Sequence, residues 1–264
     1  MNVVLIGYGK MGRLLEARLI EKGDGVLAVV DPYYSAAATP AGAHVYASLE
    51  DAMKGAAGKS LKDADAVIEF TKPDSALANL LFLAKEKIPT VTGTTGWYDK
   101  LPELNRVVTD EGASLLWSSN FSLGVNLFFR IAAHAAALID PFAEYDVGGL
   151  ESHHNKKADS PSGTAKTLVE RVLANMTRKK KAVYEMLERP AAADELHYAS
   201  VRVGAVPGTH SLFFDSAADT IEITHTARSR EGFAAGAVLA ARWLIEKERA
   251  GVFTMDDALA ELLP

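Results

Sequence analysis

Short apolar runs alternate with amphipathic segments over the first 117 residues. The runs are rich in Val, Ile and Leu and are followed by small or polar residues, a pattern typical of buried strands. The segments between them repeat apolar residues every three or four positions, which predicts helices. Predicted strands are 2–6, 26–30, 66–70, 89–92 and 114–117, and predicted helices include 75–86 and 101–111. This alternation predicts a parallel sheet with right-handed crossovers.

The pattern changes after Phe121. Three alternating runs predict a largely antiparallel sheet, because Gly204 and Gly208 supply short turns there. Residues 182–196 have little periodicity and are predicted to form an irregular excursion. The runs are 198–203, 210–215 and 220–226, strand 145–150 is a candidate member, and helices are predicted at 125–139, 165–176, 233–247 and 255–263. We expect a second domain made of one open sheet with helices on one side.

The first strand leads directly into a glycine-rich loop, Gly7-Tyr8-Gly9-Lys10-Met11-Gly12, and a helical pattern follows. A strand, three glycines at this spacing and a helix form the dinucleotide-binding fingerprint in its required context. Asp31 follows the second strand 19 residues beyond Gly12, where an acid binds the adenosine ribose. We therefore predict a nicotinamide dinucleotide and favour NADH, while Lys10 and Arg13 keep NADPH open. A tight turn without a ligand is the alternative.

Three further loops are predicted at the carboxyl-terminal edge of this sheet, where α/β folds bind ligands. They are 70–73, 93–96 and 118–121, and they carry small hydroxyl and amide side chains. Such side chains suit contacts with ribose and nicotinamide, but ordinary turn chemistry explains each loop equally well.

Residues 151–164 concentrate polar chemistry in an otherwise apolar region. Two histidines and two lysines fall within 153–157, a cation density that favours an anionic ligand, and histidine transfers protons near neutral pH. Ser162 or Thr164 then caps a predicted helix, whose first backbone N–H groups suit a carboxylate or phosphate. The alternative is a solvated loop followed by an ordinary helix cap.

Composition narrows the possible functions. The chain has 264 residues, a net charge of −6 and a pI of about 5.7, which argue against a nucleic-acid partner. It has no cysteine, which excludes disulfides, thiolate metal sites and a cysteine nucleophile. No signal peptide or membrane span is expected, so we predict a cytoplasmic protein. No His or carboxylate pair has metal-ligand spacing, so no metal is predicted, and His210 and His225 are predicted to be packing or interface residues.

These motifs together resemble the dihydrodipicolinate reductase family, also called 4-hydroxy-tetrahydrodipicolinate reductase. The most specific part of the resemblance is Glu151-Ser152-His153-His154, followed by Lys157, Asp159 and Pro161-Ser162-Gly163-Thr164. Further support comes from Gly7 to Gly12, Phe70-Thr71, Gly93 to Gly96, Asn120-Phe121-Ser122, Gly124-Val125-Asn126, Glu222 to His225, Arg230 and Phe233.

The resemblance implies an α/β fold in which a Rossmann-type parallel-sheet domain, 1–121 plus 231–264, carries an inserted α+β domain, 122–230. The inserted domain is built on an open mixed or antiparallel sheet, binds a small dicarboxylate and assembles a homotetramer. The implied reaction is NAD(P)H-dependent reduction in diaminopimelate and lysine biosynthesis. His153 corresponds to the proton donor and Lys157 to its partner in proton transfer or substrate polarisation.

The remaining implied roles concern ligand binding. Residues corresponding to ligands of the substrate carboxylates are His154, Gly163 and Thr164. Residues at cofactor positions are Gly7, Tyr8, Gly9, Lys10, Met11, Gly12, Asp31, Gly93, Thr94, Thr95, Ser118, Ser119, Asn120 and Phe121. The glycine loop is more compact than in many members of the family. The stretch after Asp31 lacks the arginine that some members use to bind NADPH. The choice between NADH and NADPH therefore stays open.

Two other functions remain compatible with the sequence. One is a different NAD(P)-dependent dicarboxylate or amino-acid dehydrogenase, and the other is an NAD(H)-binding sensor without catalysis. Arg228 and Arg230 fit either a substrate clamp or a hinge salt bridge, and the role of 178–196 stays open. Closure of the two domains, with a hinge near Phe121 and Arg230, is expected for catalysis.

Overall fold

The computed structural model describes residues 1–55 and 58–262 and divides into two compact units. The first comprises Met1–Leu123 and the described residues from Arg230 onward, and the second comprises Gly124–Ser229. The strands are β1 Asn2–Ile6, β2 Gly25–Val30, β3 His44–Tyr46, β4 Ala66–Glu69, β5 Thr90–Thr92, β6 Ser114–Trp117, β7 Asp146–His153, β8 Lys181–Val183, β9 Glu195–Arg202, β10 Thr209–Asp215, β11 Thr220–Thr226 and β12 Gly251–Thr254. The helices are α1 Lys10–Glu21, α2 Leu49–Met53, α3 Pro73–Lys85, α4 Leu101–Glu111, α5 Leu123–Ile139, α6 Gly163–Ala174, α7 Glu231–Glu246 and α8 Met255–Leu262.

The first unit contains a seven-stranded parallel sheet in the order β12-β6-β5-β4-β1-β2-β3. This arrangement confirms the predicted Rossmann-type sheet. The sequence pattern missed β3, α2 and β12, which are short and have little apolar periodicity. The predicted last helix extended to residue 263, which lies outside the described residues.

Glycines in the first loop allow α1 to pack closely against β1. Gly7 has φ +89°, in the left-handed region that favours glycine. A Cβ on Gly12 would collide with the carbonyl oxygen of Gly7. Leu15 and Leu19 on the buried face of α1 then join the core beneath the sheet. The glycine spacing therefore fixes the start of the helix at the edge of β1.

The second unit is built on a five-stranded sheet in the order β11-β10-β7-β9-β8. β7 pairs antiparallel with β10 but parallel with β9, so the sheet is mixed rather than purely antiparallel. One face packs against α5 and α6 through residues such as Phe128, Leu168 and Leu212. The predicted excursion 182–196 in fact includes most of the edge strand β8 and the first residues of β9.

The central strand β7 continues three residues beyond its predicted end at 150. The polar residues Glu151, Ser152 and His153 therefore belong to a strand and not to a loop. Because side chains alternate across a strand, Glu151 and His153 face the same side as Val147, which is the side covered by the helices. None of the helices in the described part of the chain is long and apolar enough to cross a lipid bilayer.

Candidate active site

A buried polar cluster occupies the end of β7. Glu151 lies opposite His210 on β10 and Ser200 on β9, and His153 lies opposite Arg202. Glu151 is completely buried and His153 is 7% exposed. The cluster therefore combines residues that are about 50 positions apart in the chain but adjacent in strand register.

The carboxylate of Glu151 is held by four hydrogen bonds. Oε1 accepts from the backbone N–H of Ser162 at 3.0 Å, the Ser200 hydroxyl at 2.9 Å and Arg202 Nη2 at 2.9 Å. Oε2 accepts from the Ser162 hydroxyl. Burial alone would raise the pKa of Glu151, but the hydrogen bonds from Ser162, Arg202 and Ser200 together lower it below its usual value. Glu151 is therefore a stable buried anion.

The imidazole of His153 lies beside this anion. Its Nδ1 is 3.3 Å from Oε2 of Glu151 but lacks hydrogen-bond geometry to any described residue. Burial lowers the pKa of His153, and Lys157 and Arg202 lower it further, while Glu151 opposes them. The ring is also confined at its Nε2 edge, because a Cβ on Gly208 would lie 2.9 Å from that atom.

His210 forms the other wall of the cluster. Its ring meets that of His153 edge to face with 5.2 Å between centroids, and its Nδ1 is 3.2 Å from the Tyr198 hydroxyl. Burial lowers the pKa of His210 to about 4, so it is neutral near pH 7. Its neighbours in this structure are polar groups of the cluster, and the packing or interface role stays a prediction. His225 pairs with His210 across β10 and β11 and packs against Phe128.

Glu151, His153 and His210 have ligand-type atoms within 4.8 Å of one another, a grouping that the sequence spacing did not indicate. Its donor set is poorly suited to a cation, because Glu151 already accepts four hydrogen bonds and one comes from the positive Arg202.

The loop after β7 carries Lys157, the predicted partner of His153, and His154, a predicted substrate ligand. Lys157 Nζ pairs with the Asp159 carboxylate at 2.7 Å, so its direct partner in this structure is Asp159 rather than His153. The backbone carbonyl of Asp159 accepts from Arg202 at 2.6 Å, which ties the loop to β9. His154 Nδ1 is buried and has no hydrogen-bond partner among residues 1–55 and 58–262. A ligand that accepts or donates there would satisfy it.

The loop ends at the start of α6, where Ser162 is the N-cap. Its hydroxyl accepts from the backbone N–H of Ala165 at 3.1 Å, which decides between the two predicted caps, Ser162 and Thr164. Gly163 and Thr164 form the first turn, and Gly163 is exposed. Backbone N–H groups in a first helical turn, together with the helix dipole, favour an anion.

The glycine loop borders a cavity of about 920 Å³ in the first unit. Its lining includes Gly7, Tyr8, Gly9, Arg13, Asp31 and Tyr33. The Asp31 carboxylate accepts from the backbone N–H of Tyr8 at 2.6 Å and of Tyr33 at 2.8 Å. It thereby links the glycine loop to the turn after β2. A cavity of this size at a glycine loop and a helix start fits a dinucleotide.

A second cavity of about 240 Å³ lies at the same unit's sheet edge. Its lining is Met11, Phe70, Gly93, Ser118, Ser119, Phe121, Arg230 and Phe233. The cavity brings together five of the predicted cofactor residues. It is also lined by Arg230, whose predicted role is either a substrate clamp or a hinge salt bridge. Five other predicted cofactor residues, Lys10, Gly12, Thr94, Thr95 and Asn120, line neither cavity. The Thr94 hydroxyl instead accepts from the backbone of Thr71 at 2.7 Å.

Sequence reasoning assigned no individual role to several members of the β7 cluster. They are Glu151, Ser200, Arg202 and Tyr198, while His210 is predicted only to be a packing or interface residue. For Glu151 a signal was present, because it lies two residues before His153 and strand alternation places both on one face. The others belong to strands whose pairing with β7 is not visible in local sequence.

A parallel sheet with a glycine-loop cavity, and a buried imidazole near a helix start, define a nicotinamide-nucleotide-dependent oxidoreductase. Residues 1–121 match the family described as dihydrodipicolinate reductase, N-terminus, and residues 124–259 match dihydrodipicolinate reductase, C-terminus. The chain belongs to the dihydrodipicolinate reductase family, which confirms the resemblance.

Relatives of known name agree over the full length. The chain is 37% identical to the 4-hydroxy-tetrahydrodipicolinate reductase of Christiangramia forsetii, with 99% of each chain covered. It is 35% identical to the enzyme of the same name from Archaeoglobus fulgidus, with 98% of this chain and 100% of the relative covered. The solved structure of dipicolinate-bound dihydrodipicolinate reductase from Paenisporosarcina sp. TG-14 is similar in fold, with TM-score 0.77, 21% identity and coverage of 96% and 97%.

Proposed function

We propose that this protein reduces 4-hydroxy-tetrahydrodipicolinate to tetrahydrodipicolinate with NAD(P)H, in diaminopimelate and lysine biosynthesis. The observation that carries the proposal is the buried imidazole of His153, which lies on a strand tied by hydrogen bonds to the anion-binding start of α6. A cyclic dicarboxylate imine needs both an anion site and a proton donor. Membership of the family supports the same reaction.

Each predicted residue has a chemical task in this proposal. The first turn of α6, at Gly163 and Thr164, binds substrate carboxylate together with His154. Nicotinamide supplies the hydride when it is bound. His153 donates a proton to the atom where negative charge develops, and Lys157 offsets the charge of the carboxylates.

We propose NADH as the preferred cofactor, with NADPH also accepted. The Asp31 carboxylate lines the large cavity and would repel a 2′-phosphate while accepting from ribose hydroxyls. Arg13 lines the same cavity, with its guanidinium 5.7 Å from the Tyr8 ring centroid, and offers a cation to that phosphate. Lys10, at the start of α1, is exposed and offers a second one.

The proposed division of labour follows the predicted domains. Residues 1–121 plus 231–264 bind the nucleotide, and residues 122–230 bind the substrate and form the oligomer. Hydride transfer requires contact between nicotinamide and substrate, so a hinge motion near Phe121 and Arg230 belongs to the proposal.

A homotetramer is proposed through the sheet face opposite α5 and α6. This face carries the alternate side chains of the strands, including Leu150, Val201 and Phe213. Val201, one residue before the end of β9, is 46% exposed and would be covered in such an assembly. Size-exclusion chromatography with light scattering tests the assembly, and a monomeric mass would contradict it.

A coupled assay tests the reaction. Aspartate semialdehyde, pyruvate and the synthase of the preceding step generate the substrate, and the absorbance of NADH or NADPH is followed. We expect oxidation of the cofactor only when all three are present. Binding of the nucleotide without consumption would instead indicate a sensor, and oxidation with another amino or hydroxy acid would indicate a different dehydrogenase.

A further inference from the structure

Glu151 connects two parts of the candidate site. Its carboxylate contacts the Ser162 cap of α6 with both oxygens, and Oε2 also faces His153. We propose that Glu151 is a positioning residue: its buried anion orients the His153 imidazole and fixes the first turn of α6 relative to it. The proposal rests on the proposed function and assigns a role to a residue that does not touch the substrate.

The distribution of hydrogen bonds over the two oxygens supports this role. Oε1 accepts from three donors, whereas Oε2 accepts only from the Ser162 hydroxyl among the described residues. Oε2 thus retains acceptor capacity on the side of His153, whose Nδ1 is 3.3 Å away. A proton on Nδ1 would point to this oxygen and leave Nε2 as the atom that exchanges protons with a ligand. A small rotation of the ring completes the bond.

Burying the charged carboxylate of Glu151 costs free energy, and a neutral side chain linking β7 to α6 would avoid that cost. An ionised carboxylate at zero exposure loses its hydration, and neutral side chains could join β7 to α6 at lower cost. What the charge adds is an electrostatic effect on the neighbouring imidazole. Glu151 is the strongest influence that favours the protonated form of His153.

Three strands and the loop after β7 place titratable or charged groups near His153. The groups are Glu151 on β7, His210 on β10, Arg202 on β9, and Lys157 and Asp159 on the following loop. The two cations disfavour a charged imidazole, and the second acid, Asp159, is paired with Lys157. Glu151 therefore compensates for the cations that a dianionic substrate requires nearby.

The substitution E151Q tests the electrostatic role, because the amide has nearly the same shape but no charge. We expect the pKa of His153, measured by NMR titration of the ring carbons, to fall by about one unit or more. In turnover, we expect kcat to fall about 10-fold to 100-fold with a smaller change in KM. The high-pH limb of kcat/KM should also move to lower pH. E188Q, at an exposed position in the same unit, should leave all of these unchanged.

A double-mutant cycle separates positioning from structural support. If Glu151 acts through His153, E151Q should add little further loss of kcat to H153Q, whereas independent structural damage would add in full. S162A removes both hydrogen bonds of the Ser162 hydroxyl, the one donated to Glu151 and the one accepted from Ala165, and should raise KM more than it lowers kcat. E151D retains the charge and should restore the pKa of His153 more than E151Q does, and it serves as the second variant if E151Q does not fold.

Two outcomes distinguish this inference from the proposed function. The NMR titration of His153 and the binding of pyridine-2,6-dicarboxylate need no turnover. A wild-type protein without reductase activity, in which E151Q still shifts His153, would overturn the reaction and retain the positioning role. An active wild-type protein whose His153 pKa and kcat are unchanged by E151Q would overturn the positioning role alone.

Discussion

His153 lies in a pocket that favours its neutral form, although the proposed reaction needs a proton from it. Burial and the cations Lys157 and Arg202 lower its pKa in the ligand-free protein. Those same cations attract a dianion, and two substrate carboxylates would reverse the local field. The imidazole therefore becomes a better proton acceptor when the substrate arrives. At this scale binding and protonation are coupled.

Proton uptake on binding is the first expected consequence. We expect pyridine-2,6-dicarboxylate to bind with uptake of a fraction of a proton at neutral pH, because the dianion raises the pKa of His153. Calorimetry in buffers of different ionisation enthalpy measures this fraction. H153Q should abolish most of it, and equal uptake by wild type and H153Q would assign the proton to another group.

A second residue-scale prediction concerns the space next to Nε2 of His153. G208A places a Cβ about 2.9 Å from Nε2 of His153, at a backbone φ of +151° that side chains rarely adopt. We expect kcat to fall at least about 10-fold, while NADH affinity stays within about twofold because the glycine loop is in the other unit. G204A is the matched control, since Gly204 also has a positive φ, +52°, but no atom lies within 4 Å of its Cβ, and it should retain more activity than G208A. Full activity of G208A would mean that the ring moves aside freely.

At the scale of elements, local patterns located most helices and strands but ended β7 too early. The predicted strands 2–6, 114–117 and 220–226 have the same first and last residues in the structure. Their apolar spacing is a local signal and marks these limits. The sequence pattern predicts that β7 ends at 150, because the charged Glu151 begins a polar run of the kind typical of loops. Glu151 can be buried only because partners on the neighbouring strands β9 and β10 surround its carboxylate. Pairing between strands about 50 residues apart cannot be predicted from local periodicity.

The glycine loop gives an element-scale prediction with two contrasting variants. G12A pushes a Cβ into the Gly7 carbonyl and should displace α1, lowering both the melting temperature and NADH affinity. At Gly9 nothing lies within 4 Å of an added Cβ, so G9A should keep the melting temperature but weaken NADH binding about 10-fold or more, by obstructing the pyrophosphate. Thermal unfolding and fluorescence titration distinguish them. Equal behaviour of the two variants would contradict separate roles for these glycines.

At the scale of the whole molecule, the cavities and the buried polar cluster lie in different units. The first unit holds both cavities at the sheet edge that the sequence indicated, and the second holds the buried cluster around His153. The glycine loop and the polar run 151–164 can be recognised in the sequence because glycine spacing and dense polar runs are local signals. The sequence did not predict the parallel pairing of β9 with β7, because that pairing depends on the packing of α5 and α6 against one face.

The buried cluster also predicts how the stability of the molecule depends on pH. Burial lowers the pKa of His210 from 6.5 to about 4, so the unfolded chain binds more protons than the folded one between these values. Stability is therefore complete above about pH 6.5 and falls as the pH decreases towards 4, by about 3 kcal/mol from this residue. His153 and His225 have lowered pKa values and act in the same direction. Glu151, whose pKa is also lowered, adds a further loss below its usual value of 4.5.

Urea unfolding between pH 7 and pH 4 measures this dependence. We expect H210Q to be less stable than wild type at pH 7, since the Tyr198 contact is altered, but to lose less stability towards pH 4. The two curves should therefore converge as the pH falls. H134Q, at an exposed histidine of α5, should run parallel to wild type. Parallel curves for H210Q and wild type would show that His210 does not dominate the acid sensitivity, and that the carboxylate of Glu151 or the neighbouring imidazoles control it instead.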